Sequence, residues 1–131
     1  MALSGDGRTL YVADSNNDRV SVWGRSGSDW AHQSIVGSAG DGPDQFANPV
    51  GVELSGDGQT LYVADSNNNR VSVWARTGPD WTHQSNFGSA GDGPDQLSYP
   101  ETLALSGDGR TLYVLDTENH QVSVWGLSCP P

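Results

Sequence analysis

Short apolar runs alternate with clusters of Gly, Asp, Asn and Ser along the whole chain. One unit begins with an apolar run at residues 50–54, followed by Ser55-Gly56-Asp57-Gly58. The glycines there can take the positive φ that a tight hairpin needs. A second run at 60–65 leads to Ser66-Asn67-Asn68-Asn69, and Asn tolerates left-handed backbone. A third run, 70–75, passes through Thr77-Gly78-Pro79-Asp80 into a more polar stretch at 81–87. The pattern predicts four antiparallel strands. In the second, Leu61 and Val63 fall on one face and Tyr62 and Ala64 on the other. A sheet with one wet face alternates cleanly, so both faces here are expected to be covered. The fourth strand is polar enough for an outer rim.

The unit repeats with a fixed period. Leu3, Leu54 and Leu105 are equivalent, as are Asp14, Asp65 and Asp116, and Trp23, Trp74 and Trp125. Residues 3–53 and 54–104 are identical at 36 of 51 positions. Four short antiparallel strands in a unit of this length predict a β-propeller blade. The expected fold is all-β, one propeller domain over 1–131. Blade 1 covers 1–37, blade 2 covers 49–88, and blade 3 covers 100–127 without its fourth strand. About three blades make a half-propeller, which exposes a blade face at each end. Exposed apolar faces and open strand edges invite association. Completion to a six-bladed ring by a homodimer or other homo-oligomer is therefore expected. A fragment of a longer gene product is the competing and compatible reading.

The segment from Tyr62-Val63-Ala64-Asp65 through Ser66-Asn67-Asn68-Asn69-Arg70 to Val71-Ser72-Val73-Trp74 resembles the core signature of NHL repeats. The stretch Phe87-Gly88, Gly91 and Pro100 resembles that family's approach to a blade. The resemblance covers nearly the whole chain and is specific for the repeat, not for an activity. It implies a propeller, usually of six blades, and a binding or assembly module for protein–protein interaction. It also suggests that Asp-Ser-Asn-Asn-x-Arg (Asp14 to Arg19, Asp65 to Arg70) pins its turn by hydrogen bonds and a charge pair. The long, Trp-ending repeats look most like those of exported prokaryotic proteins, which leans localisation to the cell surface or exterior. Peptide-amidating lyases resemble this fold and bind zinc through histidines of several blades. His32 and His83 are repeat equivalents on the polar outer strand and His120 sits alone in a turn, so the needed histidines do not occur at equivalent top-face positions.

Charge narrows the partners. Six Arg, no Lys and sixteen acids give a net charge of −10. Such a surface repels phosphate, so no nucleic-acid partner is expected. No apolar run approaches the roughly 18–20 residues that span a bilayer, so no membrane insertion is expected. The single Cys129 permits no intrachain disulfide and leaves a bystander thiol or an interchain bond.

The candidate binding residues lie on the loops of one propeller face: Asp18, Asp41, Asp44, Asn68, Asn69, Asp92, Asp95, Glu118 and His120. The expected geometry brings Asp18 to Asp41 and Asp44, and Asp65 to Asp92 and Asp95. Oxygen-rich loops of this kind can hold Ca²⁺. The same residues alternate with Gly and Pro, which is ordinary turn chemistry, and they lack Ca²⁺-loop spacing. No cofactor and no resident metal is expected beyond that Ca²⁺ alternative. His32 and His83 are expected on the exposed rim. Trp23 with Trp30, and Trp74 with Trp81, are expected to pack as pairs, with sugar stacking as the alternative. There is no G-x-S-x-G elbow, no Lys for a Schiff base and no phosphate loop. The chain is expected not to be an enzyme. Lectin-like carbohydrate binding, or a fragment of a metal-dependent propeller lyase or hydrolase, are the alternatives.

Overall fold

A computed structural model describes residues 1–127. Blade 1 is a sheet of β1 (Ala2–Leu3), β2 (Thr9–Asp14), β3 (Arg19–Ser26) and β4 (Asp29–Val36), in that spatial order. Two short parallel strands, β5 (Ser38–Ala39) and β6 (Gln45–Phe46), close the connecting loop. Blade 2 holds β7 (Pro49–Leu54), β8 (Thr60–Asp65), β9 (Arg70–Thr77) and β10 (Asp80–Phe87). Blade 3 has β11 (Pro100–Leu105), β12 (Thr111–Asp116) and β13 (Gln121–Gly126), with no fourth strand among the described residues. All pairings within blades are antiparallel.

Turn chemistry sets these boundaries. In each first hairpin a Ser and an Asp close the turn. Ser55 Oγ donates to Asp57 at 2.6 Å, and Asp57 accepts the Gln59 N–H at 3.0 Å. The Asn-rich turn forms one 3₁₀ turn, Ser66–Asn68, ended by Asn69 at φ 55°. Asp18 and His120 end the corresponding turns at φ 54° and 53°.

The core lies between blades. Tyr11, Val20 and Val22 of blade 1 pack on Val52, Leu61, Val63 and Trp74 of blade 2, with Phe46 wedged beside them. Tyr62, Ala64 and Val71 of blade 2 meet Leu103, Leu112 and Val114 of blade 3, with Leu97 in the wedge position. The two interfaces are copies: a Tyr/Ala/Val face on one blade covers a Leu/Val face on the next. Aliphatic packing of this sort contributes about 25 cal/mol per Å² of apolar surface removed from water. Where the wedge passes, a side chain has no room. A Cβ on Gly37 would stand 2.3 Å from the Phe46 ring, and Gly37 also sits at φ +82°.

Candidate functional site

A polar latch on the loop face is built once per blade, from the Asp-Ser-Asn-Asn-x-Arg turn in blades 1 and 2 and from Asp116-Thr117-Glu118-Asn119-His120-Gln121 in blade 3. In blade 2, Asp65 is fully buried. Its Oδ1 accepts the Ala47 N–H at 2.7 Å. Its Oδ2 accepts Asn68 Nδ2 at 2.9 Å and Arg70 Nε at 3.0 Å. Arg70 Nη2 continues to the carbonyls of Gly42 and Gln45, at 2.7 and 2.8 Å, and Asn68 also donates to the Gly40 carbonyl at 3.0 Å. The latch thus clamps the loop arriving from blade 1. Burial raises the Asp65 carboxyl above its ordinary value, against the pull of these donors.

Blades 1 and 2 also reach forward. Ser15 Oγ donates to the Pro49 carbonyl at 2.6 Å, and Ser66 Oγ makes the same bond to Pro100. Asp18 Oδ1 accepts the Asn48 N–H at 2.7 Å, and Asn69 Oδ1 accepts the Tyr99 N–H at 2.9 Å. Asn48 and Tyr99 both take positive φ, and Asn48 Nδ2 donates to the Tyr99 hydroxyl at 2.8 Å.

Blade 3 repeats the latch with changes. Asp116 is buried and accepts Ser98 N–H at 2.7 Å, Asn119 at 2.9 Å and Gln121 at 3.0 Å. Asn119 also holds the Gly91 carbonyl at 2.9 Å. Glu118 accepts the Ser98 hydroxyl at 3.1 Å. Thr117 stands at the repeat position of Ser15 and Ser66, yet its buried hydroxyl has no hydrogen-bond partner.

The structure distributes the expected site residues differently from the sequence reading. Asp18 meets Asn48 rather than Asp41 and Asp44, because its carboxylate caps the backbone of the next blade's approach. The loop carrying Asp41 and Asp44 is drawn onto Arg70 of blade 2 by its carbonyls, and both acidic side chains stay exposed. Likewise the loop carrying Asp92 and Asp95 is held by Asn119 of blade 3 and not by Asp65. Asn68 and Asn69 are engaged with backbone, and His120 is exposed. Among the described residues no three His, Cys, Asp or Glu side chains come together as metal ligands. Cys129 lies outside the described residues.

The tryptophan pairs also need correction. Strand register puts Trp74 opposite His83, and Trp81 opposite Arg76. Trp74 therefore stacks edge-on with His83 and Trp23 with His32, both at 5.2 Å between centroids. Half-buried His83 is a packing partner rather than a free rim residue. Trp81 crosses to Tyr11 of blade 1 at 5.7 Å, edge to face. Trp30 has no such Tyr in the chain and is 40% exposed, with Arg25 at 6.0 Å from its ring. Its counterpart, Tyr113 on blade 3, is 42% exposed. Beside it, Leu115, Val122 and Val124 form an open apolar face, 40–65% exposed. The registers Tyr113↔Val124 and Leu115↔Val122 put these four side chains on one side of the sheet. Sequence reasoning missed Tyr113, Trp30 and Thr117 as a set, although the period of the repeat relates each to a contact made elsewhere.

Two four-stranded sheets and a three-stranded one, stacked and joined by latched loops, define a sector of a β-propeller. NHL repeat models match residues 46–74 and 97–125. The chain carries NHL repeats over these two stretches. It is 29% identical to NHL repeat-containing protein 2 of Bos taurus over 97% of its own length, and 30% identical to the Homo sapiens protein over 90%. It spans only 20% and 19% of those proteins. Among solved structures, a Bacteroides fragilis protein named as a 6-phosphogluconolactonase matches with TM-score 0.77 at 14% identity, over 95% of this chain and 33% of that one. The periplasmic gluconolactonase of Pseudomonas aeruginosa matches with TM-score 0.76 at 21% identity, over 95% and 34%. These neighbours share the fold and bear the names of enzymes, which overturns the expectation that the chain is not one. That expectation rested on missing motifs that belong to other folds, and a fold shared with lactonases is not barred from catalysis. Among the described residues no helix is long and apolar enough to cross a membrane.

Proposed function

We propose that this chain is an assembly and protein-binding module that works by stacking propeller blades, with a second copy as its simplest partner. One observation carries the reading: the two end blades expose opposite halves of a contact that the chain makes twice inside itself. Tyr113, Leu115, Val122 and Val124 repeat the face that Tyr11, Ala13, Val20 and Val22 turn to blade 2. Trp30 repeats the Trp81 that receives Tyr11. Head-to-tail stacking of two copies would seat Trp30 of one on Tyr113 of the other, at both junctions of a two-fold ring. The exposed loops carrying Asp41, Asp44, Asp92 and Asp95 then lie on one rim as the surface offered to a protein partner.

Light scattering after size exclusion tests this. The expected mass is twice that of the 13.9 kDa chain. Trp30→Glu and Tyr113→Asp should each yield monomer alone, and their mixture should recover an open dimer, because each variant keeps the half the other lost. A monomeric native chain, or two variants that fail to complement, would sink head-to-tail stacking.

A further inference from the structure

The geometry points to a binding site on the face away from the loops: the cleft between the two hairpin ends of blade 1 takes a carboxylate. The β1–β2 and β3–β4 hairpins lie at the end of the sheet opposite the Asp14-to-Arg19 turn. A cleft of about 470 Å³ opens between them, lined by Asp6, Gly7, Arg8, Arg25, Ser26 and Gly27. The Arg25 N–H donates to the Arg8 carbonyl at 2.8 Å, which sets the two arginines side by side. The Arg25 side chain uses only its Nε, on the Gly27 carbonyl at 2.7 Å. Among the described residues the Arg8 guanidinium, both Arg25 Nη groups and the Ser26 hydroxyl have no hydrogen-bond partner. In blade 2 the Thr77 hydroxyl lies 3.0 Å from that of Thr82, and Ala31 stands at the Thr82 position in blade 1. Two guanidinium forks and a hydroxyl thus line one space, the donor set that grips an oxyanion.

The local charge selects the anion. Arg8 and Arg25 bring two positive charges and Asp6 one negative. The Ser4 hydroxyl and then the Arg8 N–H hold the Asp6 carboxyl below its ordinary value, so it stays ionised. One net positive charge suits a monovalent carboxylate, whereas a phosphate dianion would be left facing Asp6. Asp6 accepts both of its bonds on Oδ1, which leaves Oδ2 as an acceptor for a hydroxyl or amide next to the ligand's carboxylate. The cleft does not depend on where the chain starts. Its counterparts in blade 2, Asp57, Gly58, Gln59, Arg76, Thr77 and Gly78, show the same exposure residue for residue, with a blade packed on either side. The arginine pair belongs to blade 1 because position 8 becomes Gln59 in blade 2, and position 25 becomes Leu127 in blade 3.

The test follows the arginine Nε–H signals of the full chain by ¹H–¹⁵N NMR at about pH 6, where carboxylates are ionised. Six arginines and no lysine keep that region of the spectrum simple. Two probes separate the sources of the group: glycolate for a free acid, and acetyl-Gly-Asp-Gly-amide for an acidic side chain of a polypeptide. Arg8 and Arg25 should shift together and saturate, with a dissociation constant on the order of 1–10 mM, and the tighter probe names the source. Arg76 and Arg110 should not respond. Arg8→Gln, which copies blade 2, should weaken binding about tenfold or more and leave the melt unchanged, since position 8 is exposed. Gln59→Arg should do the reverse and add a second site that Arg76 reports, because the Arg76 N–H meets the residue-59 carbonyl at 2.9 Å as in blade 1. Four outcomes would each overturn the proposal: neither probe saturates, Arg76 and Arg110 shift equally in the native chain, inorganic phosphate binds more tightly than both probes, or Gln59→Arg adds nothing. The readout is arginine signals on the face away from the loops and not oligomer mass, so its failure is distinct from a failure of blade stacking.

Discussion

Blades 1 and 2 carry the same latch sequence in different surroundings. Arg19 and Asp14 pair at 3.0 Å, as do Arg70 and Asp65. The first pair is 37% and 29% exposed, the second 14% and 0%. Local sequence fixes the turn and the ion pair in both. A neighbouring loop, present at blade 2 and not at blade 1 among the described residues, converts the pair from a surface contact into a buried anchor. The lesson extends to the blade faces. Val71 and Val122 occupy one repeat position, and Val71 is fully buried while Val122 is 58% exposed. In a stacked-repeat protein the energetic role of a residue belongs to the interface and not to the repeat.

The sharpest way to break this comparison is to place a charge at both positions. Val71→Asp buries an unpaired carboxylate between blades 2 and 3 and should cost more than about 4 kcal/mol, enough to unfold the chain. Val122→Asp should stay within about 0.5 kcal/mol in the monomer while abolishing any stacking through that face. Urea unfolding at low concentration measures both. Similar losses in the two variants would mean that the open face is covered in solution.

Next in size is the latch itself. Asp65→Ala strands Arg70 and the Ala47 N–H and should cost about 3–5 kcal/mol. Asp14→Ala, at a solvent-exposed pair, should change the melt little. The two carboxyls also respond to pH with opposite sign. Burial raises Asp65 above the ordinary 3.8, so the folded chain holds that proton more tightly than the unfolded one. Its contribution is present below 3.8 and fades as pH rises through the raised value. Asn17 and then Arg19 hold Asp14 below 3.8. Its contribution is present above 3.8 and is lost as pH falls through the lowered value. Melts from about pH 2.5 to 6 should therefore flatten on the acid side in Asp14→Asn and at the higher end in Asp65→Asn.

A smaller effect separates a crowded glycine from a free one. A Cβ on Gly51 would lie 2.1 Å from the Glu101 carbonyl oxygen, where blade 3 closes on blade 2. Gly51→Ala should cost about 1–3 kcal/mol, while Gly5→Ala, with nothing within 4 Å, should be near neutral. Blade 3 carries Thr102 at the Gly51 position, and Thr102 is exposed. A blade docked there must sit slightly differently from blade 3 on blade 2.

Most of the fold was legible because strand patterning and turn chemistry are local. The runs at 60–65 and 70–75, and the Ser-Asn-Asn-Asn turn, needed no distant information. The site was less legible, since its contacts cross between blades. That Asp18 caps Asn48, that Trp81 reaches Tyr11, and that Arg70 holds carbonyls of a loop some 25–28 positions earlier depends on how one sheet stacks on the next. The Trp–His pairing could have been found, because it follows from strand register alone once the 3–4 hairpin is counted. The orphaned Thr117 hydroxyl shows only when three dimensions reveal what Ser15 and Ser66 do with theirs.

The finest test of the latch comparison is to repair the third copy. Gln121 stands where Arg19 and Arg70 stand, and it reaches Asp116 at 3.0 Å with one neutral amide. It has no second arm for the carbonyls of Gly93 and Gln96, the counterparts of Gly42 and Gln45 that Arg70 holds. Gln121→Arg should keep the bond to Asp116, add a charge to a buried carboxylate and extend two donors to the 91–96 loop. Because position 121 is exposed, the gain should be modest, about 0.5–1 kcal/mol, seen as a raised melting temperature. A combined Gln121→Arg and Asp116→Asn variant should lose most of that gain, since the guanidinium would then face an amide. If the gain survives, the added stability comes from the loop carbonyls alone, and the latch works through backbone capture rather than through its ion pair.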